Sequence, residues 1–232
     1  IYLTTNSWYG IGEKDKFCDE NSPLKPISLY GKTKCDAEYE VSKKKNTVSF
    51  RLATVFGASY RMRSDLLVNN FVQRAVNKNH IDIFEPKFRR NFIHIKDVIR
   101  GIIFTIHNFN KLKSNVYNLG LSNANITKID LAKKIKKQYK KLKITVIKNK
   151  SDPDKRDYFV SNAKIEKKGF KAKISLDNGI KELIHIFKNN KNKIINNYWL
   201  LIWFVYKNLF LNSKILIYFF ELQLNHFFYR QS

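Results

Sequence analysis

The stretch Pro26-Ile27-Ser28-Leu29-Tyr30-Gly31-Lys32-Thr33-Lys34 sets a tyrosine and a lysine four residues apart at the entrance of a helix. Four residues return to one helix face, so the phenol and the ammonium group can act on one site. Pro26 cannot continue a preceding element, and Ser28 is placed to accept a backbone N–H as N-cap. A cation beside a phenol favours the phenolate, which makes a tyrosine a general base near neutral pH. The spacing alone decides little, because Tyr39/Lys43 and Tyr139/Lys143 repeat it. The surroundings of the stretch have to carry the reading.

Upstream, Ile1 to Thr5 reads as a strand ending in hydroxyl residues, Asn6 to Gly10 as a turn, and Ile11 to Lys25 as a polar loop. The Tyr30 helix runs to about Lys43. Asn46 to Val55 reads as a second buried strand closed by Phe56-Gly57, and Ala58 to Asp65 as a loop rich in Arg and Ser. Leu66 to Asn77 is apolar at helical spacing, and two short alternating strands follow at Ile81–Phe84 and Arg90–Ile95. Asp97 then opens a helix. Asn115 to Gly120 reads as a strand with a glycine turn, and Asn125 or Thr127 caps a helix through Tyr139. Leu142–Ile147 is a strand and Leu176–Phe187 an amphipathic helix. Mostly apolar strands alternating with helices predict an α/β fold with a parallel sheet covered on both faces. Ligands of such folds sit beyond the carboxyl ends of the strands, where Thr4/Thr5, Thr54/Gly57 and Asn118/Gly120 fall.

The 232 residues suffice for one substantial domain, alone or with an appendage. The chain opens inside a strand, so it reads as a fragment of a longer protein. Forty-four Lys+Arg against 19 Asp+Glu give a net charge of +25, which would suit nucleic acid or an anionic membrane. The lysines are scattered over ordinary amphipathic segments, however. Lys, Asn, Ile, Phe and Tyr are all abundant, as AT-rich coding produces, and no nucleic-acid partner is predicted. Cys18 and Cys35 make no disulfide framework, which points to a reducing cytosol and a cytoplasmic protein. Two Cys and five scattered His lack any metal-ligand spacing. After a Lys/Asn run, Tyr198 to Tyr206 is wholly apolar, followed by Leu209–Leu211 and Ile215–Phe220. A membrane helix needs about 20 apolar residues. Lys207 and Lys214 would interrupt the span at a cost of roughly 2.5–3.5 kcal/mol each near its centre. An interfacial membrane contact and a non-native extension both stay open.

In one order the chain carries Thr5-Asn6-Ser7-Trp8-Tyr9-Gly10, Asp19-Glu20, Pro26-x-Ser28-x-Tyr30-Gly31-x-x-Lys34, Arg51-Leu52-Ala53-Thr54-Val55-Phe56-Gly57, Arg90 to Val98 and Tyr117-Asn118-Leu119-Gly120. Linked so, they resemble the extended short-chain dehydrogenase/reductase family, and within it the nucleotide-sugar epimerases and dehydratases, over about Ile1 to Phe187. The resemblance implies the C-terminal part of a Rossmann-type parallel sheet plus a small α/β substrate-binding domain, with an apolar helical tail. Residues 1–60 would carry the second half of the Rossmann domain with the Tyr/Lys helix. Residues 61–188 would be mainly the substrate-binding domain with some returning Rossmann elements, and 189–232 a Lys/Asn-rich linker and aromatic tail.

The resemblance also implies a mechanism. Tyr30 would take the proton of a sugar hydroxyl while the carbinol hydride passes to NAD or NADP. Lys34 would favour the phenolate and bind the nicotinamide ribose, Thr5 would hydrogen-bond the reacting oxygen, and Leu52 and Ala53 would border the cofactor. Thr54, Asn70, Arg90 and, less regularly spaced, Arg156 would face a nucleotide-diphosphate sugar. Asp97 and Asn118 would be structural, as helix cap and turn, and His94, alternating with core residues, structural too. The full-length protein would be a homodimer through the Tyr30 helix and the helix before it, which is absent from this sequence.

The departures bear on function. No Gly-x-x-Gly-x-x-Gly turn occurs among only eight glycines, so the cradle for the dinucleotide pyrophosphate is missing. The 4,6-dehydratases carry Asp-Glu after the catalytic Thr, where this chain has Asn6 and Ser7. That leaves epimerisation, as in a UDP-glucose 4-epimerase, or keto-reduction. Trp8, where a small β-branched residue is usual, would crowd the site. The contrasting reading is an inactive remnant serving as a basic membrane-surface or interaction protein through Lys133–Lys150 and the tail.

Overall fold

In the computed structural model, which describes residues 1–13, 16–147 and 154–189, the chain starts with β1 (Tyr2–Thr5). A 3-10 turn over Asn6–Tyr9, the two-residue strand β2 (Phe17–Cys18) and helix α1 (Leu29–Ser42) come next. Then follow β3 (Val48–Leu52), β4 (Thr54–Phe56), α2 (Leu67–Lys78), β5 (His80–Ile83), β6 (Arg89–His94), α3 (Ile95–His107) and the short α4 (Phe109–Leu112). The last described elements are β7 (Asn115–Leu119), β8 (Asn125–Thr127), α5 (Lys128–Gln138), β9 (Lys143–Val146), β10 (Phe159–Val160), α6 (Ala163–Lys167) and α7 (Leu176–Asn189).

The parallel sheet β1-β3-β7 is the frame of the site. Thr5 lies level with Leu52, and Leu52 with Leu119, so the three carboxyl ends form one row. Its middle strand is covered on both faces, as an internal parallel strand must be. On one face Val48 and Phe50 are fully buried in a cluster with Ile93, Val98, Tyr117 and Leu119. On the other, Ser49 and Arg51 are buried, and Arg51 meets Glu38 of α1 at 2.9 Å. A cation is tolerated there only because a carboxylate is buried with it.

Asn46 to Val55 is not one strand. Ala53 donates its N–H to Leu119 O (2.9 Å), the last bond to this sheet, and the chain then passes to a second one. There β4 runs parallel to β6, and β6 antiparallel to β8. Gly57 ends the crossing at φ 110°, and a Cβ there would stand 2.3 Å from His94 Nε2. Only glycine satisfies both conditions. A third sheet pairs β5 with β9 in parallel. The loop expected over Ile11–Lys25 contains β2, which pairs in parallel with β10.

Helix α3 starts two residues before Asp97. The His94 imidazole accepts the Lys96 N–H (3.2 Å) and is the cap. Asp97 instead accepts the N–H groups of Lys173 (3.0 Å) and Ile174 (2.8 Å) and pairs with Arg100, tying α3 to the segment before α7. Asn118 lies within β7 rather than in a turn, accepting the Tyr9 hydroxyl (2.7 Å) and donating to Ser161 O (3.0 Å). His94 is fully built into the interior, with Nε2 2.6 Å from Glu182 of α7. Of the two caps considered for α5, Thr127 is the one used, accepting the Asp130 N–H (3.2 Å). The tail expected at 189–232 lies, beyond Asn189, outside the described residues. Among the described residues no helix is long and apolar enough to cross a membrane.

Candidate active site

The site forms where the first turn of α1 meets the carboxyl ends of the β1-β3-β7 row. Ser28 caps α1 as its position suggests, its hydroxyl accepting the Gly31 N–H at 3.1 Å. Gly31 is buried against Pro26, whose side chain a Cβ there would meet at 3.1 Å. The cap fixes the phase of the helix, and Tyr30, Lys34 and Glu38 then share one stripe at four-residue intervals.

Each member of that stripe has a different depth. Glu38 is buried against Arg51. Burial pushes its carboxyl up, and the Arg51 hydrogen bonds and charge offset only part of that rise. Arg51 is held further by Tyr9 Oη (3.2 Å), Glu20 O (3.1 Å) and the Trp8 ring, 4.8 Å away. Trp8 is therefore part of the platform beneath the helix, stacked on a guanidinium. Lys34 places its ammonium 5.3 Å from the centre of the Tyr2 ring on β1. Tyr30, at the open end, is 56% exposed, so its phenol is available to a ligand. Burial raises the Tyr2 phenol, and the charges of Tyr30 and Glu38 raise it too.

Thr5 closes β1 and caps the 3-10 turn. Its Oγ1 accepts the Ser7 N–H (3.1 Å) and lies 2.8 Å from Ser7 Oγ. Gly10 completes the turn at φ 60°, where a Cβ would collide with Lys25 O at 2.0 Å. Leu52 and buried Ala53 stand beside Thr5 at the sheet edge.

The two arginines differ. Arg90, in β6, is buried, and its guanidinium is engaged by Arg89 O (2.8 Å), Arg156 O, Asp154 O (3.3 Å) and the Asp154 carboxylate (3.1 Å). Arg156 grips Asp154 through Nε and Nη2, both at 2.6 Å, and sends Nη1 to Ser7 Oγ. Burial opposes the charge of Arg156. The Asp154 hydrogen bond, then the charges of Tyr158, Asp154 and Tyr30, more than compensate and hold it above the usual guanidinium range. Burial likewise opposes the Asp154 charge, yet Arg156 and Arg90 keep its carboxyl well below its ordinary value. Thr54, in β4, and Asn70, in α2, are both half-buried. Asn69, next to Asn70, braces the crossing by accepting the Gly57 N–H (3.1 Å).

The structure thus sets Thr5, Leu52 and Ala53 at the carboxyl end of the sheet with Arg156 bonded to Ser7 and Arg90 behind it, and lays Lys34, on the Tyr30 stripe, against Tyr2 of β1. Sequence reasoning missed Glu38, although its position eight residues after Tyr30 marks the same stripe. It also missed the link from Ser7 to Arg156, for which residues 149 apart give no local signal. Among the described residues no group of acidic, His or Cys side chains could hold a metal ion.

Residues 1–120 match the NAD dependent epimerase/dehydratase family, and the chain belongs to it. The Bacillus subtilis protein described as an uncharacterized UDP-glucose epimerase, YtcB, is 28% identical over 135 residues, 56% of this chain and 42% of that protein. Mouse dTDP-D-glucose 4,6-dehydratase is 24% identical over 204 residues, 82% of this chain and 56% of the enzyme. The crystal structure of dTDP-glucose 4,6-dehydratase from Bacillus anthracis in complex with NAD superposes with a TM-score of 0.71 at 21% identity, covering 82% of this chain and 61% of that one. That likeness shows the fold. The chain spans about half the length of the curated relatives it matches.

Proposed function

We propose that this chain carries the catalytic residues and part of the substrate surface of an NAD(P)-dependent nucleotide-sugar epimerase or keto-reductase resembling UDP-glucose 4-epimerase. The observation that carries this is the Tyr30–Lys34–Glu38 stripe, pinned by Arg51 so that Lys34 lies on the Tyr2 ring of β1 and the Tyr30 phenol stays exposed. Tyr30 takes the proton from a sugar carbinol as general base, and Thr5 donates a hydrogen bond to the same oxygen. Lys34 binds the nicotinamide ribose from the same helix face. Leu52 and Ala53, with Tyr30 and Lys34, would hold the nicotinamide end of NAD or NADP, whose ring supplies the hydride acceptor when bound. Thr54 and Asn70 face the nucleotide diphosphate and sugar, while Arg90 and Arg156, engaged by Asp154 and Ser7, stand behind them. Asn6 and Ser7 offer no carboxylate for removing water, which favours epimerisation or reduction over dehydration.

Two measurements test the reading. Calorimetry with UDP-glucose and other nucleotide sugars should detect binding that Asn70→Ala weakens; no binding of any nucleotide sugar at millimolar concentration sinks it. With no Gly-rich turn in the sequence, NAD alone should bind only weakly, and micromolar affinity in the same instrument would contradict that expectation.

A further inference from the structure

We propose that Ser7 and Arg156 are positioning residues: a directed chain of hydrogen bonds from Arg156 through Ser7 fixes Thr5 as a donor toward the reacting oxygen. This rests on the function proposed above, in which Thr5 faces the substrate. The polarity follows from what each atom can do. A guanidinium only donates, so Ser7 Oγ accepts from Arg156 Nη1. Ser7 is 2% exposed, and its remaining hydroxyl hydrogen has one acceptor in reach among the described residues, Thr5 Oγ1 at 2.8 Å. Were Thr5 to donate to Ser7 instead, the buried Ser7 hydrogen would be left without an acceptor, a state that buried polar groups avoid. Thr5 Oγ1 therefore accepts twice, from the Ser7 hydroxyl and from the Ser7 N–H at 3.1 Å. Its own hydrogen then has no protein acceptor among these partners and is left for a ligand.

The chain is also polarised in the useful direction. A charged donor at one end strengthens each following bond. Arg156 keeps that charge because Asp154 holds it through two bonds of 2.6 Å, and Asp154 is in turn fixed by Arg90 at 3.1 Å. With Nε and Nη2 spent on Asp154 and Nη1 on Ser7, Arg156 is better placed to orient Thr5 than to clasp a diphosphate. The carbinol oxygen would then meet a hydroxyl that can only donate on one side and the Tyr30 phenolate that can only accept on the other. No reorganisation would be needed when charge develops on that oxygen.

Neutron diffraction from deuterium-exchanged crystals of the chain reads the direction. The expected map shows the Ser7 deuteron on the line to Thr5 Oγ1 and the Thr5 deuteron turned away from Ser7. A Thr5 deuteron on the line to Ser7 overturns the proposal. Turnover supplies the functional arm, with UDP-glucose and NAD at saturation. Ser7→Ala should lower kcat about 10-fold with KM changed less than about 3-fold, a smaller loss than direct removal of a transition-state donor. Ser7→Thr, which keeps the hydroxyl, should recover most of that loss. Equal losses for Ser7→Ala and Ser7→Thr, or a change confined to KM, count against the proposal. If the unaltered chain binds no nucleotide sugar in calorimetry, the proposed function is what fails, and the neutron map still decides the direction of the bonds.

Discussion

The first and third turns of α1 carry the same Tyr-x-x-x-Lys spacing in opposite settings. Tyr39 follows Tyr30 by nine residues, which at 3.6 residues per turn puts it about 180° around the helix. Tyr30 and Lys34 share their stripe with buried Glu38 and lie over β1. Tyr39 and Lys43 face away, the ammonium lying 4.6 Å from its own tyrosine ring and bonded to exposed Glu40 at 2.6 Å. A third copy is not on one helix at all: Tyr139 ends α5 and bonds Asn79 Oδ1 (3.0 Å), while Lys143 starts β9. The spacing brings two groups together, but phase against the sheet decides whether they meet anything else. Phase is set here by a cap at one end, Ser28, and an ion pair near the other.

The sharpest way to break the comparison is at the two tyrosines. Tyr30→Phe should cut turnover of a nucleotide sugar by about 10²–10⁴-fold, the usual scale for a general base. Tyr39→Phe should leave both turnover and stability within error, and equal losses from the two would erase the distinction. Next in size is the anchor. Glu38→Ala strands a buried guanidinium and should lower unfolding free energy by about 3–5 kcal/mol in urea titrations. Replacing Glu38 and Arg51 together by Met should recover much of that loss, since no buried charge remains. Ser28→Ala removes the cap and should cost about 1 kcal/mol. The smallest effect concerns pH. The Asp154 carboxyl is depressed, so its contribution to stability is complete above its ordinary value of 3.8 and is lost as pH falls through the lower folded value. Asp154→Asn should flatten the acid limb of a stability–pH curve.

Most elements were legible because their periodicity extends over four or more residues: β1, α1, β3, α2, β5, β6, β7, α5, β9 and α7 stand close to where the pattern puts them. The strands β2 and β10 are two residues long and have no period to read. The break at Ala53 was invisible for the opposite reason, since apolar character runs unbroken through it and only the bond to Leu119 separates the sheets. At the candidate site, Tyr30, Lys34 and Thr5 are proposed from linked motifs, and Ser28 was legible through its chemistry as a cap. Arg90 could not be judged from sequence, because a buried and an exposed arginine look the same there. The bond from Arg156 to Ser7 was not legible because the two residues lie 149 apart.

The segment from Asp154 to Val160 closes upon Ser7, Gly10, Gly12 and β2, and the bond from Arg156 to Ser7 joins residues 149 apart. Bringing such distant points together costs on the order of 4 kcal/mol of chain entropy before any contact rewards it. It also sets a timetable. At about 5–20 residues per second of synthesis, α1 emerges on the order of ten seconds before Arg156 does. A nascent chain thus displays its tyrosine and lysine while Thr5 is still unoriented. Whatever binds at that edge finds the arrangement complete only after β10 has left the ribosome and zipped against β2.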